Sequence, residues 1–78
     1  MTSLKLPKLL AQDGATFHGV IQFVDKGIWR ASCSARLESG GITHEESDEY
    51  KMCESEEKAR EWIEIEAAKR GFDKYFLN

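Results

Sequence analysis

The chain has 78 residues, 11 Lys and Arg against 14 Asp and Glu, and 41% of it is apolar, which fits one small globular domain spanning 1–78 and excludes a second. No stretch approaches the roughly 20 apolar residues a membrane span needs, and the segment from Lys5 to Leu10 is too short and too Pro-interrupted for a signal peptide, so a soluble, cytoplasmic chain without a membrane role is expected. Charged residues reach 32%, yet two Trp, four Phe and two Tyr supply anchors that a disordered chain lacks.

Residues 1–15 read as an N-terminal arm carrying Leu4, Leu6, Leu9 and Leu10 around Pro7. From Thr16, the alternation of Phe17, Ile21 and Phe23 with His18 and Gln22 predicts a strand. Asp25, Lys26 and Gly27 then read as a three-residue hairpin loop in which Gly27 takes a left-handed conformation. In the second strand Trp29, Ala31, Cys33, Ala35 and Leu37 share one face, while Arg30, Ser32, Ser34, Arg36 and Glu38 share the other. Ser39, Gly40 and Gly41 turn the chain into a third strand between Ile42 and Cys53. The acids from Glu45 to Glu49 are poor strand formers, so pairing is expected near Ile42 to His44 and near Tyr50 to Cys53, with a bulge or mobile loop between.

Ser55 reads as the N-cap of a helix reaching about Arg70, with Glu56 and Glu57 in the first turn, where the helix dipole favours anions. Its inward stripe is Ala59, Trp62, Ile63 and Ala67, and Gly71 stops it. The pairs Glu56 with Arg60 and Glu66 with Arg70 read as exposed i,i+4 ion pairs. The tail 71–78, with Phe72, Tyr75, Phe76 and Leu77, is too apolar to stay solvated and should fold back. The plan is α+β in two layers: a three-stranded antiparallel sheet packed against one C-terminal helix, in the order β-β-β-α. Its expected core is Phe17, Ile21, Phe23, Trp29, Ala31, Cys33, Ala35, Leu37, Ala59, Trp62, Ile63 and Ala67.

Nothing in the sequence demands a particular chemistry. His18, Cys33, His44 and Cys53 lack the close ligand pair of a structural zinc site, and a phosphate loop, a His-Glu-x-x-His helix and a nucleophile elbow are all missing. Both thiols are expected to be free, since a secreted domain this small leans on two or more disulfides. No metal, no cofactor and no enzymatic activity are expected.

Two surfaces stand out. Residues 45–57 hold seven acids and one Lys, a net of −6 in a chain whose total is −3, which suggests a docking patch for a basic partner through Glu45, Glu46, Asp48 and Glu49. The outer face of the sheet should carry His18, Val20, Gln22, Val24, Ile28, Arg30 and Arg36, a mixture of apolar and basic groups suited to binding unless a terminal segment covers it.

The strings Phe17-His18-Gly19-Val20, Gly27-Ile28-Trp29-Arg30-Ala31 and Ser55-Glu56-Glu57-Lys58-Ala59 resemble the sheet-plus-helix pattern of AP2-type DNA-binding domains and of the arm-binding domains of tyrosine integrases, over roughly residues 16–70. That resemblance implies a sheet laid on DNA, with only Arg30 and Arg36 in positions comparable to the reading arginines; a nucleic-acid reading of the sheet face would use Lys26 and His18 as well. An isoelectric point near 5.3 opposes it, because DNA affinity rests on phosphate neutralisation by Lys and Arg. The sequence therefore favours a small non-catalytic interaction module that binds a protein, with nucleic-acid binding through the outer sheet face as the alternative.

Overall fold

In a computed structural model of the chain, residues 9–46 and 49–78 are described. The expected N-terminal arm lies mostly outside these residues, as does Asp48. A long antiparallel hairpin forms first: β1 (Ala15–Asp25) and β2 (Ile28–Ser39) pair from Ala15↔Leu37 to Asp25↔Ile28. Its turn holds two unpaired residues, Lys26 and Gly27, rather than the three expected. Asp25 stays in the ladder because its carboxylate accepts the Lys26 N–H at 2.7 Å and Gly27 supplies a φ of 73°. The register slips between Phe23 and Asp25, leaving Val24 at a bulge.

The expected third strand is two strands. β3 (Ile42–Glu45) pairs with the end of β2, and β4 (Glu49–Cys53) pairs with its beginning. Between the pairs Arg36↔Glu45 and Cys33↔Glu49, β2 contributes two residues and the opposing chain three, so the interruption is a one-residue register shift. It changes which side chains face inward. Strict alternation would put Glu46 and residue 48 on one face, whereas the extra residue puts Glu46 and Glu49 there.

The helix α1 (Glu56–Lys69) starts where the Ser55 hydroxyl accepts the Lys58 N–H at 3.1 Å. It ends at Arg70 in a Schellman arrangement: Phe72 N–H donates to the Ala67 carbonyl and Gly71 N–H to that of Ala68, with Gly71 at φ 85°. The tail then returns as β5 (Phe76–Leu77), parallel to β1 through His18↔Phe76 and Gly19↔Leu77. Among the described residues the fold is therefore α+β with a mixed five-stranded sheet and one helix, not a purely antiparallel three-stranded sheet. No helix among the described residues is long and apolar enough to cross a membrane.

The core sits between α1 and the middle of the hairpin: Phe17, Ala31, Cys33, Ala35, Ala59, Ile63 and Ala67 are buried. Ile21, Trp29 and Trp62 are only partly buried against it, and Leu37 is intermediate. Phe23, expected inside, is 63% exposed. It lies on the inward side of β1, opposite Trp29, but at the end of the hairpin beyond the buried core, so its ring finds only an edge-on contact with Trp29 at 5.2 Å.

Two of the buried groups are charged, Glu66 and Arg70. Arg70 Nη1 donates to the Glu66 carbonyl at 2.8 Å and to its carboxylate at 3.2 Å, and Nε donates to Glu46 at 2.9 Å. Nη2 stands 2.7 Å from the same Glu46 oxygen as an ion pair without hydrogen-bond alignment, and 3.5 Å from Glu49. The guanidinium also lies 5.1 Å above the Phe17 ring. Burial opposes its charge, but hydrogen bonds and attraction from Glu46 and Glu66 prevail and hold its pKa above the usual value. The expected exposed pair of Glu66 with Arg70 is thus a buried cluster.

Candidate functional site: the open face of the sheet

One face of the sheet carries α1, and among the described residues no helix packs on the other. The strand registers array the open side in rows, because directly paired residues share a face. Phe76, His18 and Ser34 form one row. Val20, Ser32 and Tyr50 form the next, followed by Gln22, Arg30 and Met52, while Thr16, Arg36 and Glu45 lie at the opposite end. A shallow depression of about 390 Å³ lies among His18, Val20, Ser32, Ser34, Arg36 and Glu45. The C-terminal tail, rather than covering this face, extends the sheet beside it.

Local contacts hold several of these side chains in place. The Arg30 guanidinium lies 4.7 Å over the Tyr50 ring and donates weakly to Gln22 at 3.4 Å. Arg36 donates from Nε and Nη2 to one oxygen of Glu45, at 3.2 and 3.0 Å. Both partners of that pair are about half exposed, so it orders the side chains more than it stabilises the fold. His18 stacks on Phe76 with centroids 5.4 Å apart, and its Nε2 meets the Thr16 hydroxyl at 2.8 Å. The hydroxyls of Ser32 and Ser34 make no hydrogen bond to another described residue.

Among the expected binding residues, His18, Val20, Gln22, Arg30 and Arg36 come together on this face. Val24 and Ile28 lie at the hairpin end, 50% and 41% exposed. The acidic run, in contrast, is no single patch. Glu45 joins the open face and neutralises Arg36, whereas Glu46 and Glu49 turn inward to Arg70, the Glu46 side chain being only 6% exposed. Further along, Glu56 and Glu57 sit at the start of the helix. The register shift divides the run, and Asp48 lies outside the described residues.

Tyr50, Met52 and Phe76 belong to the open face and were not among the expected site residues. Their exposed side chains are 61%, 47% and 54% accessible. The alternation of Tyr50 and Met52 with Lys51 and Cys53 was the available signal, but assigning it to a face requires knowing the register shift. Nothing in the sequence indicates that Phe76 pairs with His18.

Cys33 points to the helix side, and burial pushes its thiol up to about 11, so it is protonated and a poor nucleophile at neutral pH. Cys33 and Cys53 are free, and among the described residues no group of three or more His, Cys, Asp and Glu is arranged to hold a metal ion. Compared with protein families, curated proteins and solved structures, the chain matches none.

Proposed function

We propose that the chain is a non-catalytic binding module that docks a protein partner against the open face of its sheet. The observation that carries this reading is the composition of the central rows: Tyr50, Met52, Phe76, Val20 and Arg30, with the acids Glu45 and Glu38 lying at the Arg36 end. Aromatic residues, Met and Arg are enriched in protein interfaces, where Asp, Glu and Lys are depleted. Arg30, already stacked on Tyr50, is a preordered anchor that loses little freedom on binding. For a partner captured by the chain and then purified, Arg30→Ala and Tyr50→Ala should each weaken the measured affinity at least about tenfold, the scale of an interface hot spot. Glu57→Ala, on the helix that packs on the opposite face, should leave it unchanged. Equal affinities across all three variants would end this reading.

A second reading has its own support. Arg30 and Arg36 stand six residues apart along β2, roughly 20 Å at strand rise, on one face, which suits a polyanion and agrees with the resemblance to AP2-type domains. Against it, Arg36 is committed to Glu45 and the chain carries −3 overall. The protein reading expects no complex with duplex DNA in 0.15 M salt, where charges are screened beyond about 8 Å. Sequence-dependent micromolar binding there would favour DNA, and Arg30→Ala and Arg36→Ala would then each flatten the salt dependence by about one counterion.

A further inference from the structure

β4 pairs with β2 along one edge, and among the described residues no strand pairs with the other. Beside that free edge, a cleft of about 400 Å³ runs between β4 and α1. Met52 and Cys53 line it from the strand, and Trp62 and Ile65 from the helix, with Ile65 54% exposed. Lys51, opposite Ala31 in the ladder, belongs to the helix side of the sheet and borders the same cleft. Lys58 on the opposite wall is committed to Glu61 at 3.5 Å. Lys51 makes no ion pair with any described residue.

We infer that this edge accepts an extended segment of a partner protein as an added strand, with an acidic side chain opposite Lys51 and an apolar one, two residues away, in the cleft beside Trp62 and Ile65. Strand addition supplies affinity through main-chain hydrogen bonds and specificity through alternate side chains, which is what a free edge offers beside a cleft whose wall holds Trp62 and Ile65 between the charged Lys51, Glu54, Lys58 and Glu61. The two-residue spacing follows from the pleat, since positions i and i+2 share a face. Charge selects the occupant. A second copy pairing antiparallel over the whole of β4 would set Lys51 against Lys51, a like-charge apposition that destabilises a sheet, whereas an acid there is favoured. The inference rests on the partner being a protein, and it names the β4 edge and the cleft on its helix side, which meet the open face at Met52.

The test is selection from a random heptapeptide library by the immobilised full-length chain. The expected winners carry Asp or Glu at a fixed position with an apolar residue two positions away. A synthesised winner should shift the backbone amide resonances of residues 50–53. Its affinity should fall at least tenfold when its acid is replaced by Lys, and selection on the Lys51→Glu chain should favour Lys or Arg at that position. Ser34→Arg, which obstructs the open face on β2, should leave peptide affinity unchanged, so failure of the open-face reading and failure of this one are distinguishable. No enrichment, or the same motif from the Lys51→Glu chain, overturns the inference. So does a winner whose shifts fall on His18 and Ser34, and so does sedimentation of the free chain as a dimer that Lys51→Glu alters, which would give the edge to a second copy.

Discussion

Arg70 joins three parts of the chain through one side chain: the helix that carries it, the interrupted edge of the sheet through Glu46, and Phe17 in β1. Glu46 adds a fourth, because its second oxygen accepts the Leu9 N–H at 2.7 Å while the Arg70 carbonyl accepts the Ala11 N–H at 2.8 Å. Removing one member of a buried charge cluster leaves the others uncompensated, so Arg70→Ala should destabilise by about 3 to 5 kcal/mol in denaturant titrations. Charge reversal separates neighbours in the acidic run. Glu46→Lys places a second cation against buried Arg70 and should prevent folding under native conditions, whereas Glu45→Lys, on the exposed face, should change stability by less than about 1 kcal/mol. Indistinguishable circular-dichroism melts for the two variants would refute this assignment. The sequence held a clue that spacing alone could not resolve: 59, 63, 66, 67 and 70 fall on one helical stripe, which places Glu66 and Arg70 beside Ala59 and Ile63. Two charges there read more naturally as a solvated i,i+4 pair, because their partner Glu46 is 24 residues from Arg70 along the chain.

The Cys33 thiol gives the residue scale a pH dependence. Burial raises its pKa in the folded state from 9.0 to about 11, so the folded form keeps its proton where the unfolded form loses it. The stabilisation is complete below pH 9 and is lost as pH rises through about 11, a change on the order of 2 to 3 kcal/mol. Tyr and Lys side chains titrate in the same region, so the informative quantity is the stability difference between wild type and Cys33→Ala. It should be flat from pH 6 to 8 and decline above 9, and a difference that stays constant to pH 11 would contradict the assignment.

At the scale of elements, the helix reaches the sheet over a glycine. A Cβ on Gly19 would stand 2.8 and 2.9 Å from the Ile63 Cγ2 and Cδ1 atoms and 3.2 Å from a Leu77 methyl, so Gly19 sets the distance at which α1 and β5 close on β1. Its φ is not positive, which makes the requirement one of space and not of backbone conformation. Gly19→Ala should therefore cost about 1 to 3 kcal/mol by overpacking. Ile63→Val removes Cδ1 and should recover part of that loss in the double variant, a coupling that a thermodynamic cycle would measure. Additive losses would mean that the helix does not rest on Gly19. The hairpin, the N-cap at Ser55 and the stop at Gly71 were legible because each depends on residues close in sequence. β5 was not: its two residues pair with His18 and Gly19, 58 positions earlier, and no local pattern encodes a parallel partner at that distance. The split third strand was legible as an interruption in the acidic run, but not as the one-residue shift that turns Glu49 inward.

Over the whole molecule, the hairpin is longer than the core it supports. Phe17, Ala31, Cys33 and Ala35 are enclosed at its middle, whereas Phe23, Val24 and Ile28 at its end are 63%, 50% and 41% exposed. Backbone hydrogen bonds continue to the turn, so the ladder is regular where side-chain burial has already faded. Local opening costs little where few apolar contacts are lost, and most where opening requires the core to come apart. Amide exchange should therefore fall into two classes within the same two strands. Amides bonded across the His18↔Ser34 and Val20↔Ser32 pairs, which flank the buried Phe17, Cys33 and Ala35, should exchange only by global unfolding, and Arg70→Ala should accelerate them by the full loss of stability it causes. Hydrogen-bonded amides between Phe23 and Ile28 should exchange orders of magnitude faster and respond little to Arg70→Ala, because their opening leaves the buried charge cluster intact. Uniform protection along β1 and β2 would show instead that the hairpin opens as one unit. In that case the exposed end would draw its stability from the ladder itself, and burial would be a poor guide to where this chain yields first.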